Sequence, residues 1–278
     1  MQQRAAILLT VHNLRERTLE CLRDCYQQID AMKGDDTYSF TVYMVDDGSV
    51  DGTSELVTAN YPQTVIIRGD GNLYWNHGMT AAWEAAAKEG YDFYLWLHSG
   101  TMLKEGSLAC IMETSMFLRH KAIVAATAED PEGNLVRGGR DKSGRIIVPD
   151  PAIPTPCYTF DGNFVLVPAG VYKALGGLDW HYTHRFGDID YGVRAYKSKI
   201  VRVVAPGVLC RCNPRKYLPV WRDRSYSLKE RVAFLYSPKG RPPREQFRYD
   251  CRSQGVAYAI FHGMYVALKV FFPKKADV

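Results

Sequence analysis

Short unbroken hydrophobic runs alternate with hydrophobic positions at helical spacing along most of the chain. The run from Ala5 to Val11 has the length of a buried strand, and the apolar positions from Leu14 to Ile29 recur as on one face of a helix. Further strands are predicted at 40–45, 65–67, 93–97, 122–127, 160–167 and 200–204, and further helices from Thr53 or Ser54 and at 76–89, 105–118 and 189–197. This alternation predicts an α/β fold with a mostly parallel central sheet flanked by helices.

The alternation is interrupted once and ends after Pro206. Two short runs between residues 134 and 148 predict a flap or hairpin. After Pro206, turn-forming and basic residues dominate as far as the apolar segment 255–273. We therefore predict a main domain at residues 1–210 and a basic C-terminal extension at residues 211–278.

The net charge of +5 is concentrated in this extension. Twelve Lys or Arg stand between Arg211 and Arg252, against four acidic residues. Such an asymmetry indicates an anionic partner, and a diphosphate, a nucleic acid or an anionic lipid would each satisfy it. A solvated basic surface is the alternative.

Cysteine usage and the N-terminus predict a reduced, cytoplasmic protein. The seven cysteines form neither an even set nor a paired metal-ligand spacing. The chain passes from Gln2 and Gln3 directly into its first apolar run, without the features of a secretory signal.

Acidic and small residues follow the second predicted strand, in the stretch Asp46-Asp47-Gly48-Ser49-Val50-Asp51-Gly52-Thr53. In an open α/β sheet, ligands bind at the carboxyl ends of the strands. Carboxylates placed there can accept hydrogen bonds from a base N–H group or from ribose hydroxyls. An Asp/Gly turn followed by a Ser/Thr helix cap is the alternative interpretation.

This stretch resembles the signature of family 2 glycosyltransferases, including the rhamnosyltransferase-like enzymes of bacterial cell-surface glycans. The resemblance continues at residues 69–78, 161–164, 175–179 and 187–194, and so covers roughly residues 5 to 210. It implies the GT-A nucleotide-diphospho-sugar transferase fold and a nucleotide diphosphate sugar as donor. We expect a UDP- or dTDP-sugar, because Asp46 or Asp47 can read a pyrimidine edge, and we expect no nucleic-acid partner. The resemblance implies that Thr10, Asp46 and Asp47 bind the base and ribose, with Asp70 and Asn72 near the same nucleotide.

The resemblance also implies an inverting reaction in which Asp188 is the catalytic base. A sugar hydroxyl is a poor nucleophile, so a positioned carboxylate must take its proton. Asp190 stands two residues further on and points elsewhere on a helix, which suits a supporting role. An N-cap of helix 189–197 is the alternative role for Asp188.

The sequence departs from the family pattern after the strand at 93–97. Related enzymes carry metal-binding carboxylates there, whereas this chain has His98-Ser99-Gly100-Thr101. The sequence leaves open whether the protein binds a divalent ion, Mg²⁺ or Mn²⁺, and His98 is the one candidate ligand at this position. We expect basic residues after Pro206 to stabilise the diphosphate instead, above all Arg231 and Lys239, with Arg211, Arg215 and Lys216 as further candidates.

The acceptor side is less defined by the sequence. Trp180 is a candidate stacking surface for an acceptor sugar, and His184 is a further candidate. The segment 255–273 resembles an interfacial helix on an anionic membrane surface, and a helix packed on the main domain is the alternative. We expect an inverting glycosyltransferase acting on a cell-surface glycan or its lipid-linked precursor, and a catalytically silent nucleotide-sugar binder is the rival.

Overall fold

The computed structural model describes residues 2–34, 37–213 and 219–273. Twelve strands are present in these residues: β1 Gln3–Val11, β2 Tyr38–Asp46, β3 Val65–Arg68, β4 Phe93–Leu97, β5 Met102–Leu103, β6 Ala122–Glu129, β7 Leu135–Arg137, β8 Gly139–Arg140, β9 Thr155–Pro156, β10 Thr159–Phe160, β11 Phe164–Pro168 and β12 Val201–Arg211. Nine α-helices accompany them: α1 Arg15–Ala31, α2 Thr53–Asn60, α3 Tyr74–Lys88, α4 Ser107–Phe117, α5 Ala169–Leu175, α6 Gly187–Lys197, α7 Leu228–Tyr236, α8 Pro243–Ser253 and α9 Val256–Phe271.

The central sheet has the order β3-β2-β1-β4-β11-β6-β12-β5. Its first half is parallel, since β1 pairs in parallel with both β2 and β4, and β2 pairs in parallel with β3. The second half is mixed, because β11 runs antiparallel between β4 and β6. The α/β fold is therefore confirmed, with a sheet that is less uniformly parallel than the alternation predicts.

Helices cover both faces of the sheet, which explains why its strands read as continuous apolar runs. Along β1, Ala5, Ile7 and Leu9 share one core with residues of α1 and α4. Ala6 and Leu8 point into the other core, with residues of α3 and α6. The parallel strands therefore end together at one edge, above two buried layers.

The chain departs from the predicted elements at β12 and beyond. β12 was expected to stop near Val204, but it continues to Arg211 with shifts in its register against β6 after Val204. Such an irregularity accommodates Pro206 inside a strand. The helices α5, α7 and α8 were also missed, because their apolar positions are too few to show helical spacing.

The extension has its own small core and is also held to the main domain. Trp221, Leu235, Val266 and Val270 pack together in it. Ion pairs then join Arg252 of α8 to Asp179 and Asp190, at 3.0 and 2.6 Å. The boundary near residue 210 remains a prediction, and the contacts link the extension to the segment that carries α6.

Within the described residues, no helix has both the length and the apolarity that a bilayer crossing requires.

Candidate active site

Two adjoining cavities open where β1, β2 and β4 end. The first has a volume of about 620 Å³ and the second about 570 Å³. Trp75, His98 and His184 line both, so the two spaces share one wall. This position matches the rule that α/β sheets bind ligands at the carboxyl ends of their parallel strands.

Thr10 lies in the wall of the first cavity because α3 comes very close to β1. A Cβ atom on Gly78 would stand 2.3 Å from the Thr10 Oγ1 atom, so only glycine permits this approach. The structure thus places Thr10 at the cavity, where the predicted nucleotide contact requires it.

The two adjacent carboxylates of the motif have different positions. Asp46 is fully buried and accepts hydrogen bonds from the Ser49 N–H at 2.9 Å, from the Ser54 hydroxyl, and from Arg68 at 3.1 Å. Burial opposes its ionisation, but the hydrogen bonds from Ser49 and Ser54 outweigh it and lower the pKa of Asp46. Asp46 thereby stabilises the loop that follows β2, and it does not line either cavity.

Asp47 does line the first cavity, and its carboxylate also orders the loop opposite. Oδ1 accepts hydrogen bonds from the N–H groups of Gly71 and Leu73 at 2.9 and 3.1 Å, and Oδ2 accepts one from Tyr74 at 2.8 Å. Three backbone donors on one carboxylate fix the loop that enters α3. The shape of the first cavity therefore depends on Asp47.

Asp70 and Asn72, both predicted at the nucleotide, are exposed and do not line either cavity. Asp70 accepts a hydrogen bond from the Asn72 N–H at 2.9 Å, which closes a local turn. The backbone between them, at Gly71, forms part of the cavity wall instead. These two side chains therefore shape the loop from outside.

Lys239 and Arg231, both expected at the diphosphate, also have different positions. Lys239 lines the first cavity beside Ser237 and Pro238, as expected for a cation near the diphosphate. Arg231 is 8% exposed and donates to the backbone oxygens of Val270, at 2.9 Å, and Tyr226. The donor-binding role of Arg231 is corrected, because its guanidinium holds the C-terminal end of α9. Arg211 forms a pair with Glu129 away from both cavities, and Arg215 and Lys216 lie outside the described residues.

Asp188 lines the second cavity from the first turn of α6. The Gly162 N–H donates to its Oδ2 atom and the Ile189 N–H donates to its Oδ1 atom, both at 2.8 Å. Burial and the neighbouring Asp161 raise the pKa of Asp188, against these two hydrogen bonds. A fixed carboxylate with a raised proton affinity has the properties of a general base.

Asp190 faces away from both cavities and is fully buried. Its carboxylate accepts from the Tyr182 hydroxyl at 2.9 Å and pairs with Arg194 and Arg252. Burial raises the pKa of Asp190 in spite of the two arginines. Asp190 thus stabilises the side of α6 that faces away from the cavities, and its supporting role in catalysis stays a prediction.

The residues at the predicted metal position do not fit a carboxylate-held divalent ion. His98 Nδ1 accepts a hydrogen bond from the Gly100 N–H at 3.1 Å, so that ring nitrogen is engaged, and the following Ser99 is a weak ligand. Among residues 2–34, 37–213 and 219–273, no three His, Cys, Asp or Glu side chains come together as a metal site.

The two acceptor candidates differ in position. His184 lines both cavities, and its Nδ1 atom accepts a 3.4 Å contact from the Trp75 N–H. Trp180 is 69% exposed, stacks on His181 and does not line either cavity. His184 is therefore placed at the site, whereas the stacking role of Trp180 stays a prediction.

Sequence reasoning missed several residues of the cavity walls. His12 follows the first strand directly and hydrogen-bonds the Asp47 backbone oxygen at 2.6 Å, so the strand-end rule could have identified it. Arg137, Arg185 and Arg241 line the second cavity from segments far apart in the chain, and no local pattern predicts their meeting.

The N-terminal part of the chain matches a known family, and the fold is similar to that of known structures. Residues 6–114 match glycosyl transferase family 2. A search of curated proteins by sequence finds no match. The fold is similar to that of S. aureus TarS 1–349 in complex with UDP-GlcNAc, with a TM-score of 0.61 and 12% identity over 98% of this chain and 73% of that one.

Two further structures are similar. The mannosyltransferase PcManGT from Pyrobaculum calidifontis, in complex with GDP-Man and Mn²⁺, has a TM-score of 0.58 and 16% identity, over 98% of this chain and 74% of that one. The longer S. aureus TarS structure has a TM-score of 0.56 and 13% identity, over 77% of this chain. The chain spans only 37% of that longer TarS.

Proposed function

Because residues 6–114 match glycosyl transferase family 2, we propose that the chain transfers a sugar from a nucleotide diphosphate to an acceptor hydroxyl with inversion. The observation that carries this proposal is the position of Asp188 in the second cavity, beside the wall shared with the first. A donor in the first cavity extends its sugar past that wall towards Asp188. The acceptor hydroxyl then enters from the second cavity.

Asp188 acts as the base in this proposal. Its two backbone hydrogen bonds fix the carboxylate, which takes the proton of the acceptor hydroxyl as the oxygen attacks the anomeric carbon. The diphosphate leaves from the opposite face of the sugar ring, so the product has the inverted anomeric configuration. NMR of the product's anomeric proton tests this step directly, and retained configuration would refute it.

The leaving diphosphate is stabilised by cationic and polar groups of the first cavity. Lys239 lies there, with His98 and His184 at the shared wall. A lysine can neutralise the charge that develops on the leaving oxygen. Donor binding therefore relies on Lys239 more than on a divalent ion, even though PcManGT is in complex with Mn²⁺.

The donor is a UDP- or dTDP-sugar in this proposal. Asp47 lines the first cavity, and a carboxylate there can read the edge of a pyrimidine base; the similar TarS 1–349 is in complex with UDP-GlcNAc. A thermal-shift screen of UDP, dTDP, GDP and ADP tests this, because a ligand that binds only the native state raises its melting temperature. A shift confined to the purine diphosphates would contradict the proposal.

A silent nucleotide-sugar binder is the second candidate, and His98-Ser99-Gly100 is the observation that favours it. Without carboxylates at that position, binding could persist while turnover is lost. A hydrolysis assay on UDP-GlcNAc separates the two candidates. Binding without any turnover, restored by the double change Ser99→Asp and Gly100→Asp, would establish the silent binder.

We further propose that α9 binds the anionic surface of a membrane, where a glycan or lipid-linked acceptor is presented. Only Ala259, Val266 and Val270 of α9 are buried, and they share one face. Large apolar side chains project outwards over about half of the helix circumference. They are Val256, Tyr258, Ile260, Phe261, Met264, Tyr265, Leu268 and Phe271.

Charge favours a lipid surface over a second protein copy. The helix contains no acidic residue, and its single lysine, Lys269, lies 5.3 Å from the Tyr265 ring. An apolar arc bordered by a cation suits acyl chains below anionic headgroups. All seven cysteines are free thiols, which supports the cytoplasmic face of that membrane.

Vesicle flotation with 30% phosphatidylglycerol tests this placement. Phe261→Ser with Phe271→Ser should abolish flotation, whereas Phe117→Ser, an equally exposed change on α4, should leave it intact. Deletion of α9 is a poorer test than these substitutions, because Val266 and Val270 pack against Trp221 and Leu235 and the deletion would also remove that core. The membrane assignment would be overturned if the parent protein formed a dimer that did not float with vesicles and that the same two substitutions dissociated.

A further inference from the structure

The second cavity has an unusually basic lining. Four arginines from four separate segments contribute to it: Arg17, Arg137, Arg185 and Arg241. Among the described residues of the lining, two carboxylates face them, from Asp161 and Asp188. Asp161 is already paired with Arg140, at 2.8 Å.

Arg137 and Arg241 have no ion-pair partner within the described part of the chain. The carboxylates that interact electrostatically with these two arginines already bind other groups or are needed for catalysis. Asp250, which acts on Arg241, accepts from His262 at 2.7 Å and from Gln246 at 2.7 Å. Arg137 acts on Asp188, whose oxygens are bound to backbone N–H groups.

Leaving such guanidinium groups without counter-ions costs free energy. Burial lowers the pKa of Arg241, and the nearby Asp250 carboxylate offsets this loss of water only in part. A partly buried cation is stabilised when an anion completes its hydrogen bonds. Guanidinium groups bind phosphate and carboxylate oxygens in pairs, which makes them suited to such a ligand.

The position of these arginines assigns the anion to the acceptor. The nucleotide cavity is lined by Lys239, whereas Arg137 and Arg241 line only the cavity that contains Asp188. Asp188 receives the proton of the acceptor hydroxyl in the proposed function, on which this inference rests. A group bound by these arginines would therefore stand beside the hydroxyl that reacts.

We propose that the acceptor is anionic, and that Arg137 and Arg241 bind a phosphate or carboxylate group on it next to the hydroxyl that Asp188 deprotonates. The two arginines approach from different sides, one from β7 and the other from the segment between α7 and α8. An anionic group between them selects the acceptor and fixes the orientation of its reacting hydroxyl. Neutral sugars lack this contact and bind more weakly.

Calorimetric titration of simple probes tests the proposal. Glucose 6-phosphate, glucuronate and glucose are titrated into the full chain saturated with UDP, and the two anionic probes separate phosphate from carboxylate recognition. We expect one anionic probe to bind at least tenfold more tightly than glucose. Arg137→Gln and Arg241→Gln should each remove about tenfold of that affinity, as charged hydrogen bonds usually contribute.

The matched control is Arg145→Gln, an exposed arginine that lies outside the cavity lining. It should leave the affinity for every probe unchanged, and UDP affinity should stay within twofold in all three variants. Equal binding of glucose and both anionic probes would overturn the proposal. A loss of UDP affinity in Arg137→Gln and Arg241→Gln, with probe binding intact, would also overturn it and assign the arginines to the donor.

Failure of the proposed function would have a different signature. A chain that binds none of the nucleotide diphosphates would refute the donor assignment, while the probes titrated without UDP would still test the anion site. If Arg241→Gln does not fold, the preference for the anionic probe in the parent and its loss in Arg137→Gln decide the question.

Discussion

Replacing Arg252 with Gln should loosen the extension from the main domain and disturb α6, the helix that carries Asp188 and Asp190. Arg252 donates to both oxygens of Asp190 at 2.7 and 2.6 Å, and pairs with Asp179 at 3.0 Å. Its loss leaves Asp190, which is fully buried, with fewer charge partners. Removing one partner of a buried ion pair typically costs about 3–5 kcal/mol.

The expected cost here lies at or just below the lower end of that range. Asp190 keeps Arg194 and the Tyr182 hydroxyl, and the Arg252 side chain is 24% exposed, so water compensates part of the loss. We therefore expect about 2–3 kcal/mol, which lowers the melting temperature by roughly 5–10 °C in a chain of this size. Turnover should fall as well, because Asp190 and Asp188 share the first turn of α6.

Differential scanning calorimetry measures the stability, and Arg244→Gln on the exposed face of the same helix is the control. The Arg252→Gln variant is destabilised when Asp190 is ionised, so its loss of stability relative to the parent should be larger at pH 8 than at pH 5. Adding Asp190→Asn removes the buried charge and should recover part of the loss. An Arg252→Gln protein with the same melting temperature as Arg244→Gln would show that the contacts of Arg252 with Asp179 and Asp190 do not stabilise the protein.

Three further predictions concern the cavities. Asp47→Asn should reduce UDP affinity at least tenfold, because the amide cannot accept from all three N–H groups that order the loop, and unchanged calorimetric affinity would contradict that role. Lys239→Met should weaken UDP binding about tenfold while EDTA changes it less than twofold, with exposed Lys229→Met as control, and the reverse pattern would reveal a protein-held metal. Because burial and Asp161 raise the pKa of Asp188, transfer should decline in acid at a higher pH than an ordinary aspartate would cause, and Asp161→Asn should move that decline to lower pH in a kcat/KM profile.

The predictable part of the fold depends on local hydrophobic pattern. β4 has the predicted bounds, Phe93–Leu97, since five consecutive buried residues leave no other interpretation. α2 begins at Thr53, close to the predicted start, but its N-cap is Gly52 and not the Thr53 or Ser54 side chain expected from the sequence. The mixed half of the sheet could not be predicted, because strand direction at β11 depends on long-range pairing with β4 and β6.

The site divides in the same way. Asp188 and Thr10 lie where motif and strand end predict them, in the cavity walls. Arg231 was assigned by composition alone, and charge in a sequence does not say whether a side chain meets a ligand or a helix terminus. Its buried contact with Val270 is tertiary, and so is the convergence of Arg137 and Arg241.

The most direct test of the central claim compares donor affinity and transfer in Asp188→Asn. Calorimetry with UDP and dTDP measures affinity, and ³¹P NMR follows release of the diphosphate from the matching sugar donor with envelope glycan as acceptor. Because Asp188 lines only the second cavity, the variant should bind the diphosphate within about twofold of the parent and lose transfer by at least a thousandfold. Transfer within tenfold of the parent would contradict the account, since the base would then be another group.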